Sequence, residues 1–382
     1  MRKRIFRFCI ALAIAFTCCI GCQNKVSAAD AVGTETPEDQ FTYRYSSAYQ
    51  GIELTKYLGK DTVVHIPSEI GGVPVTAVGE KCFYKTGMTD LTMPDTVTSV
   101  GKEAFAYCNA LGNITWSENL KSIGESAFMG CGIQSFYMPD SLTAIGAGAF
   151  QECNALEEVV CSKGLTELNG TFFACYNLKT VRFPAAAQIA RIGNNTFEGC
   201  PLKKFHLPAS VVEIGESAFK GSLERITFPK DSRLERIGDY AFEGCGFWKV
   251  ILPASLKEIG RYPFENCEEL EQISFAKNAR IERLPDGCFG SCYLLREVDI
   301  PENVTDIGAN LFMDRKKKYY TKVNEIHIKG GKIKRIAPTA WKGFVKKGTI
   351  TVPKKYKKKY TEMFQKRKWY KKTMKIKAVK KI

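Results

Sequence analysis

The chain has 382 residues, of which 45% are hydrophobic and 12% aromatic, and its formal net charge at pH 7 is +16. This apolar content is enough for an ordered core and excludes a wholly disordered chain. Residues 315–382 hold 26 lysines and arginines against two acidic residues, whereas residues 29–314 hold 25 against 38, which predicts an acidic body and a basic end with an anionic partner.

The first 28 residues have the pattern of a secretory signal peptide. A basic segment that ends at Arg7 precedes the apolar stretch "FCIALAIAFTCCIG", which is too short to span a membrane as a helix. Cleavage after Ala28, in "KVSAAD", satisfies the small-residue requirement. The alternative is lipidation at Cys22, where the preceding "IG" fits a lipobox but Cys19 stands in place of the usual leucine. Both alternatives predict an exported protein.

A hexapeptide recurs along most of the remaining chain. The hexapeptide "IGESAF" stands at Ile123–Phe128 and again at Ile214–Phe219. The segment before the repeats, "FTYRYSSAYQGIELTKYLG" (Phe41–Gly59), predicts a capping β-hairpin. Looser copies, such as "LNGTFF" at Leu168, bring the total to twelve between Val78 and Ile336, with starts 22 to 25 residues apart except for a last step of 29. Self-similarity at this period is typical of a solenoid.

The full unit follows the pattern L-x-x-I-x-I-P-x-S-V-x-x-I-G-x-x-A-F-x-x-C. Its I-x-I segment predicts a short strand with two residues inward and one outward, because side chains alternate along a strand. The glycine predicts a sharp turn, and A-F-x-x-C predicts one helical turn that buries Phe and Cys on the same side. One unit buries little alone, so the units must stack into a continuous core.

This unit resembles the leucine-rich repeats of the BspA-like class of bacterial surface proteins, from Val63 to about Val352. The segment "DTVVHIPSEIGGVPVTAVGEKCF" (Asp61–Phe83) is similar to the opening unit of that family. The predicted fold is a right-handed, β-rich α/β solenoid of parallel stacked leucine-rich repeats, with about twelve units of 22–25 residues and N- and C-terminal caps. The predicted segments are a signal peptide (1–28), an N-terminal cap hairpin (29–60), the leucine-rich repeat solenoid (61–345) and a Lys-rich C-terminal cap (346–382).

Eleven cysteines follow the signal segment, and eight of them recur three residues after the phenylalanine of a unit. Export favours disulfides, but this periodicity predicts a ladder of small, buried, free thiols. The eight are Cys108, Cys131, Cys153, Cys175, Cys200, Cys245, Cys267 and Cys292.

No catalytic, metal or cofactor site is predicted from sequence motifs. The chain has three histidines, His65, His206 and His327, each at the outward position of an I-x-I strand and far apart in repeat number. After the signal segment, which holds the pair Cys19 and Cys22, the chain has no CxxC pair, and no Cys/His cluster, P-loop, HExxH or GxSxG motif is present.

Stacking places the outward strand residues in columns on one sheet face. Aromatic and basic side chains fall on neighbouring units there, and such residues commonly anchor protein interfaces. The predicted ligand-binding residues are Tyr137, Arg182, Lys204, His206, Arg225 and Lys249. The alternative is a hydrated face without a ligand.

The C-terminal segment differs from the repeats. "GTITVP" and "TMKIKAVKKI" predict strands, and "KKYKKKYTEMFQKRKW" predicts an amphipathic helix, with Tyr356, Tyr360, Met363 and Phe364 on one face. A cap for the exposed core is one interpretation. The other is contact with anionic wall polymers or lipid headgroups, whereas export argues against nucleic acid. The predicted contact residues are Lys357, Lys358, Lys359, Lys366 and Lys368.

The sequence therefore predicts an exported cell-surface module for protein binding or adhesion, without catalysis. The family resemblance implies a protein ligand on a host or neighbouring cell. A cell-envelope scaffold held by the basic end is the alternative. A secreted enzyme would need a clustered catalytic site that these motifs do not supply.

Overall fold

The structure is a computed structural model, which describes residues 34–313 and 323–380. The predicted signal peptide, its cleavage after Ala28 and the lipidation at Cys22 lie outside the described residues. The strands run in two columns, here called the front sheet and the back sheet, and a third side of tight turns joins them. Among the described residues, no helix is both long enough and apolar enough to cross a membrane.

An antiparallel hairpin begins the described fold, after a short 3-10 helix at Glu38–Gln40. Its second strand pairs in parallel with the first repeat strand of the back sheet, so it covers the first unit. The five N-terminal strands are β1 (Phe41–Ser46), β2 (Gly51–Tyr57), β3 (Val63–His65), β4 (Glu69–Ile70) and β5 (Val73–Val78).

The front sheet begins with β3 and continues with strands of three to five residues that pair in parallel. These strands are β6 (Asp90–Thr92), β8 (Asn113–Thr115), β10 (Ser135–Tyr137), β12 (Glu158–Val160), β14 (Thr180–Arg182), β16 (Lys204–His206), β18 (Arg225–Thr227), β20 (Lys249–Leu252), β22 (Gln272–Phe275), β24 (Glu297–Ile300), β26 (Glu325–Ile328) and β28 (Thr349–Pro353). Hydrogen-bonded pairing is interrupted between β8 and β10, between β14 and β16, and between β18 and β20.

The back sheet contains β5 and eleven strands of two residues, each at the start of a hexapeptide. These strands are β7 (Ser99–Val100), β9 (Ser122–Ile123), β11 (Ala144–Ile145), β13 (Glu167–Leu168), β15 (Arg191–Ile192), β17 (Glu213–Ile214), β19 (Arg236–Ile237), β21 (Glu258–Ile259), β23 (Arg283–Leu284), β25 (Asp306–Ile307) and β27 (Arg335–Ile336). The parallel stacked solenoid is thus confirmed, with about 14 turns, because the front column gains two C-terminal strands that have no hexapeptide.

The third side of each unit is a series of turns in place of the predicted helical turn. The amides of Ser126, Phe128 and Gly130 donate to carbonyls of the following unit at 2.8–2.9 Å, and the intervening amides close turns within their own unit. Ser126 and Gly130 have φ of 52° and 72°, in the left-handed region. This alternation directs every second amide to the next unit, so a helix cannot form, and the described fold contains little helix.

The repeated glycine stands at the start of a turn, as the Ala149 N–Gly146 O hydrogen bond shows, and close stacking of the units requires it there. A Cβ at Gly146 would lie 2.3 Å from Glu125 N and 2.5 Å from Gly124 C, atoms of the preceding unit. Gly146 itself is outside the left-handed region. The glycine column therefore marks where one backbone lies directly against the next.

The core contains a ladder of stacked phenylalanines. Eleven rings run from Phe83 to Phe312, with neighbouring centroids 4.9 to 6.4 Å apart and interplanar angles of 6° to 23°. In the unit "LNGTFF", the turn between Leu168 and the ladder phenylalanine is one residue shorter than in the other units. Phe172 therefore enters the ladder, and Phe173, the last residue of the hexapeptide, is only partly buried.

The predicted thiol ladder is confirmed among the described residues. All eleven cysteines from Cys82 onwards are free and buried. In eight units the thiol donates to the phenylalanine carbonyl of the preceding unit at 3.0 or 3.1 Å. Burial raises the pKa of Cys153, Cys200 and Cys245 to about 12. These thiols therefore stay protonated and poorly nucleophilic at neutral pH.

The C-terminal segment covers the last unit. After β28 and a 3-10 helix (Lys354–Tyr356), it forms α1 (Lys357–Gln365) and β29 (Lys375–Val379), which pairs in parallel with β28. Tyr360 and Phe364 are fully buried, and the Tyr360 hydroxyl donates to Gly330 O at 2.8 Å. The Phe364 ring lies 5.8 Å from Trp341, which takes the ladder position of the last unit. The segment therefore closes the core.

Candidate functional site on the front sheet

Tyr137, Glu158 and Arg182 form one connected group on the outward face of β10, β12 and β14. The Tyr137 hydroxyl donates to Glu158 Oε2 at 3.2 Å, and Arg182 Nη1 lies 2.7 Å from Glu158 Oε1. Burial, with a smaller contribution from the Glu158 charge, raises the pKa of Tyr137. Two of the six predicted residues are therefore already engaged by one carboxylate, although Tyr137 remains 48% exposed.

Lys204, Arg225 and Lys249 lie further along the same face, and we call them the basic strip. Lys204 and Arg225 are exposed and directly opposite each other in the β16–β18 register. Like charges in this arrangement repel. Among the described residues, no carboxylate lies within ion-pair distance of any of the three. His206 lies beside the strip, with Nδ1 at 2.7 Å from Thr227 Oγ1.

The back sheet shows the opposite arrangement of charge. Arg191 Nε and Arg236 Nη2 lie 3.1 and 2.8 Å from the two oxygens of Glu213. The hydrogen bond from Arg236 is the main cause that holds the pKa of Glu213 below its ordinary value. Basic residues on the back sheet are thus neutralised within the fold, whereas the basic strip leaves its charge available to a partner.

An open groove adjoins the basic strip where pairing between β18 and β20 is interrupted. We call it the front groove, and its volume is about 440 Å³. Its floor and walls include Phe228, Trp248 and Ile251, and Trp248 and Ile251 are 54% and 51% exposed. The lining residues that carry charge are Arg225, Lys230 and Lys249. Exposed apolar side chains rimmed by unpaired charge are typical of an interaction site.

The structure separates the six predicted residues into two groups. Arg225 and Lys249 line the front groove, and Lys204 and His206 lie on the adjacent strand β16, whereas Tyr137 and Arg182 belong to the group around Glu158. Sequence reasoning did not select Trp248. Its signal was present, because the positions that precede the neighbouring front strands hold Glu224 and Glu271, and a tryptophan in a column of charged residues stands out.

The five predicted contact lysines at the C-terminal end are all exposed. Lys357, Lys358 and Lys359 occupy the first turn of α1, which has no acidic residue there and no side-chain cap. The positive end of a helix dipole disfavours this placement by about 0.3–1 kcal/mol per charge. Lys359 Nζ donates to Gly331 O at 2.6 Å, so this lysine also supports the cap.

One group of possible metal ligands stands on the front sheet. Ligand atoms of Glu297, Asp299 and His327 all lie within 4.8 Å of one another. The prediction of no metal site rested on cysteine and histidine motifs, and that search could not detect it. The column positions of these residues on successive units carried the signal, because neighbouring strands bring them side by side.

Two parallel columns of short strands, a turn side and a phenylalanine ladder define a leucine-rich repeat solenoid of the bacterial type. The sequence profile of the "BspA type Leucine rich repeat region (6 copies)" matches residues 76–200 and 190–318. The chain therefore belongs to the BspA-type leucine-rich repeat family. A search of curated protein sequences gives no match.

Two solved structures are similar to this chain. A leucine-rich cell surface protein from Faecalibacterium prausnitzii is 26% identical, with 80% of this chain and 94% of that chain covered and a TM-score of 0.50. A leucine-rich repeat protein from Bacteroides ovatus is 23% identical, with 90% and 99% covered and a TM-score of 0.62, and this second likeness shows the fold alone. The family and the Bacteroides ovatus structure are described as leucine-rich repeat proteins, and the Faecalibacterium prausnitzii structure is described as a leucine-rich cell surface protein.

Proposed function

We propose that this protein is an exported, non-catalytic binding module of the bacterial cell surface, and that the front groove and basic strip bind an acidic segment of a partner protein on a host or neighbouring cell. The surface location is supported by the family and by the Faecalibacterium prausnitzii relative, which is described as a cell surface protein. The N-terminal signal pattern supports export.

The observation that carries the proposal is the combination of unpaired charge and exposed apolar surface. Lys204, Arg225 and Lys249 lack ion-pair partners among the described residues. Arg225 and Lys249 line the groove together with the exposed Trp248 and Ile251, and Lys204 lies opposite Arg225 on the adjacent strand. Carboxylates of a partner would pair with the basic strip, and an apolar side chain would fill the groove. Tryptophan and arginine contribute most often to such interfaces, and truncation of one at an interface centre costs about 2 kcal/mol or more.

Binding to purified extracellular matrix proteins and surface proteins of neighbouring bacteria, measured by surface plasmon resonance, tests this proposal. The test variant carries Lys204→Gln, Arg225→Gln, Lys249→Gln and Trp248→Ala. The matched control carries Lys60→Gln, Lys121→Gln, Lys163→Gln and Tyr176→Ala, four exposed positions outside the groove. We expect the test variant to lose any salt-sensitive binding that wild type and control share. Equal binding by both variants would contradict the proposed site.

A second candidate function is attachment to anionic envelope material through the C-terminal lysines. It is favoured by the three lysines in the first turn of α1, where the helix dipole opposes positive charge. Because these three exposed lysines lower the stability of the folded chain, a role in binding would explain their presence better than a role in folding. Wall polymers and lipid headgroups share the phosphate chemistry that these lysines would contact.

Replacement of Lys357, Lys358, Lys366 and Lys368 with Gln tests the second candidate and leaves the Lys359 contact with Gly331 intact. We expect unchanged or slightly higher stability together with weaker binding to phosphatidylglycerol vesicles and to purified wall polymer. This loss should be greatest below about 0.15 M salt, where the screening length exceeds about 8 Å. Binding as tight as that of wild type at low salt would show that the segment acts only as a cap.

A further inference from the structure

We propose that Glu297, Asp299 and His327 form a binding site for one divalent transition-metal ion, such as Zn²⁺, on the front sheet. These residues lie on β24 and β26, beyond β22 from the front groove. The inference is independent of the protein-binding proposal, since it rests on different residues and on a different chemistry.

Strand register brings the ligands together. Residues two apart on a strand share a face, and β24 pairs with β26 so that Glu297 lies opposite Glu325 and Asp299 lies opposite His327. The four side chains therefore form a square on the outward face. His327 Nε2 lies 2.9 Å from Glu297 Oε1 and 3.7 Å from Glu325 Oε2, so the imidazole nitrogen already points between two carboxylates.

Charge favours a cation at this square. Glu297 and Glu325 are opposed in register, which places two like charges side by side. Among the described residues, the basic side chain that contacts the three proposed ligands is Lys329, whose Nζ lies 2.6 Å from Asp299 Oδ2. That bond occupies one oxygen of the Asp299 carboxylate, and a carboxylate has a second oxygen that can bind a metal. The flanking outward residues, Gln272 and Ser274 on β22 and Thr349 and Thr351 on β28, are uncharged.

The donor set selects the class of metal. One imidazole nitrogen with two carboxylates, and Glu325 as a fourth group, suits Zn²⁺ and related ions, whereas Mg²⁺ and Ca²⁺ prefer oxygen ligands alone. The buried thiols do not compete in the folded chain, because burial raises their pKa and keeps them protonated. The side chains of Glu297 and Glu325 are 49% and 51% exposed, so an ion could enter from solvent.

Titration calorimetry of the full chain with ZnCl₂ tests the proposal, with MgCl₂ as the comparison ion. We expect one Zn²⁺ per chain and no comparable Mg²⁺ binding. His327→Gln and, separately, Glu297→Gln should each weaken Zn²⁺ binding at least about tenfold, while the melting temperature confirms folding. His206→Gln is the matched control, because it is the same change on the same face beside Thr227 in place of carboxylates.

Imidazole resonances give a second readout, since the chain has only three histidines. Zn²⁺ should shift the signals of His327 and leave those of His65 and His206 unchanged. Zn²⁺ affinity that is the same in His327→Gln, Glu297→Gln and wild type would overturn the site. Equal shifts of all three histidines would also overturn it, because they would indicate only weak, unspecific surface binding.

Discussion

Ser222 interrupts the thiol ladder, and its replacement with cysteine should stabilise the solenoid. Ser222 takes the ladder position between Cys200 and Cys245, and the equivalent acceptor is the carbonyl of Phe197. Its hydroxyl is buried and has no hydrogen-bond partner among the described residues. In eight other units, a thiol makes this bond at 3.0 or 3.1 Å.

The magnitude follows from the unpaired hydroxyl. A buried polar group that lacks a partner costs about 1–3 kcal/mol. Ser222→Cys removes that cost and adds a polarizable sulfur that reaches the carbonyl, so we expect the free energy of unfolding to rise by about 1–2 kcal/mol. Cys245→Ser is the reverse change in the next unit and should lower it by a similar amount. Each variant changes one atom, so backbone effects are matched.

Urea unfolding followed by circular dichroism, in the presence of a reductant, measures both variants against wild type. The expected order of unfolding midpoints is Ser222→Cys, then wild type, then Cys245→Ser. A Ser222→Cys midpoint at or below that of wild type would refute the inference that the thiol–carbonyl bond stabilises the stack.

Three further predictions concern the core. Phe219→Ala should lower the free energy of unfolding by about 3–5 kcal/mol in the same urea assay, because it leaves a cavity between stacked rings. Phe173→Ala is the control, and it should lower that free energy much less because Phe173 lies outside the ladder. Gly146→Ala should lower the melting temperature strongly, since its Cβ would lie 2.3 Å from backbone, whereas Gly87→Ala, with open space around the Cβ, should not. The melting temperature should fall as pH rises from 9 to 12. Over this range the thiols ionise in the unfolded chain but stay protonated in the folded chain, where burial raises the pKa of Cys153, Cys200 and Cys245 to about 12. A melting temperature that does not change between pH 9 and 12 would contradict buried thiols.

The periodicity of the sequence was enough to predict most of the fold. A 23-residue repeat fixes which residues face inward, so Phe219 and Cys245 could be assigned to ladders from the sequence. The conformation of the turn side could not, because the left-handed φ of Ser126 depends on amides that bond to the next unit. The sequence left two assignments in one unit, because the hexapeptide ends at Phe173 whereas the spacing to Cys175 indicates Phe172, which is the ring in the ladder. A one-residue deletion in a turn changes which of two adjacent phenylalanines enters the core.

The candidate site was less accessible to sequence reasoning. Packing in the core does not restrict the residue type at outward positions. The type at one such position therefore indicates a binding site only when it is compared with the equivalent positions of neighbouring strands. That alignment gave Lys204 and Arg225 correctly as neighbours, as the β16–β18 register shows. It could not show that Glu158 engages Arg182, or that interrupted pairing between β18 and β20 opens a groove beside Trp248. Both features depend on side-chain geometry.

Amide hydrogen exchange of the chain with and without a partner protein selected by surface plasmon resonance tests the proposed binding face most directly. If the front groove binds the partner, peptides that contain residues 225–230 and 248–254 should show slower exchange in the complex. The turn side and α1 should exchange as in the free chain. Protection confined to α1 and β29, or to the turn side, with no change at the groove, would contradict binding through the front sheet.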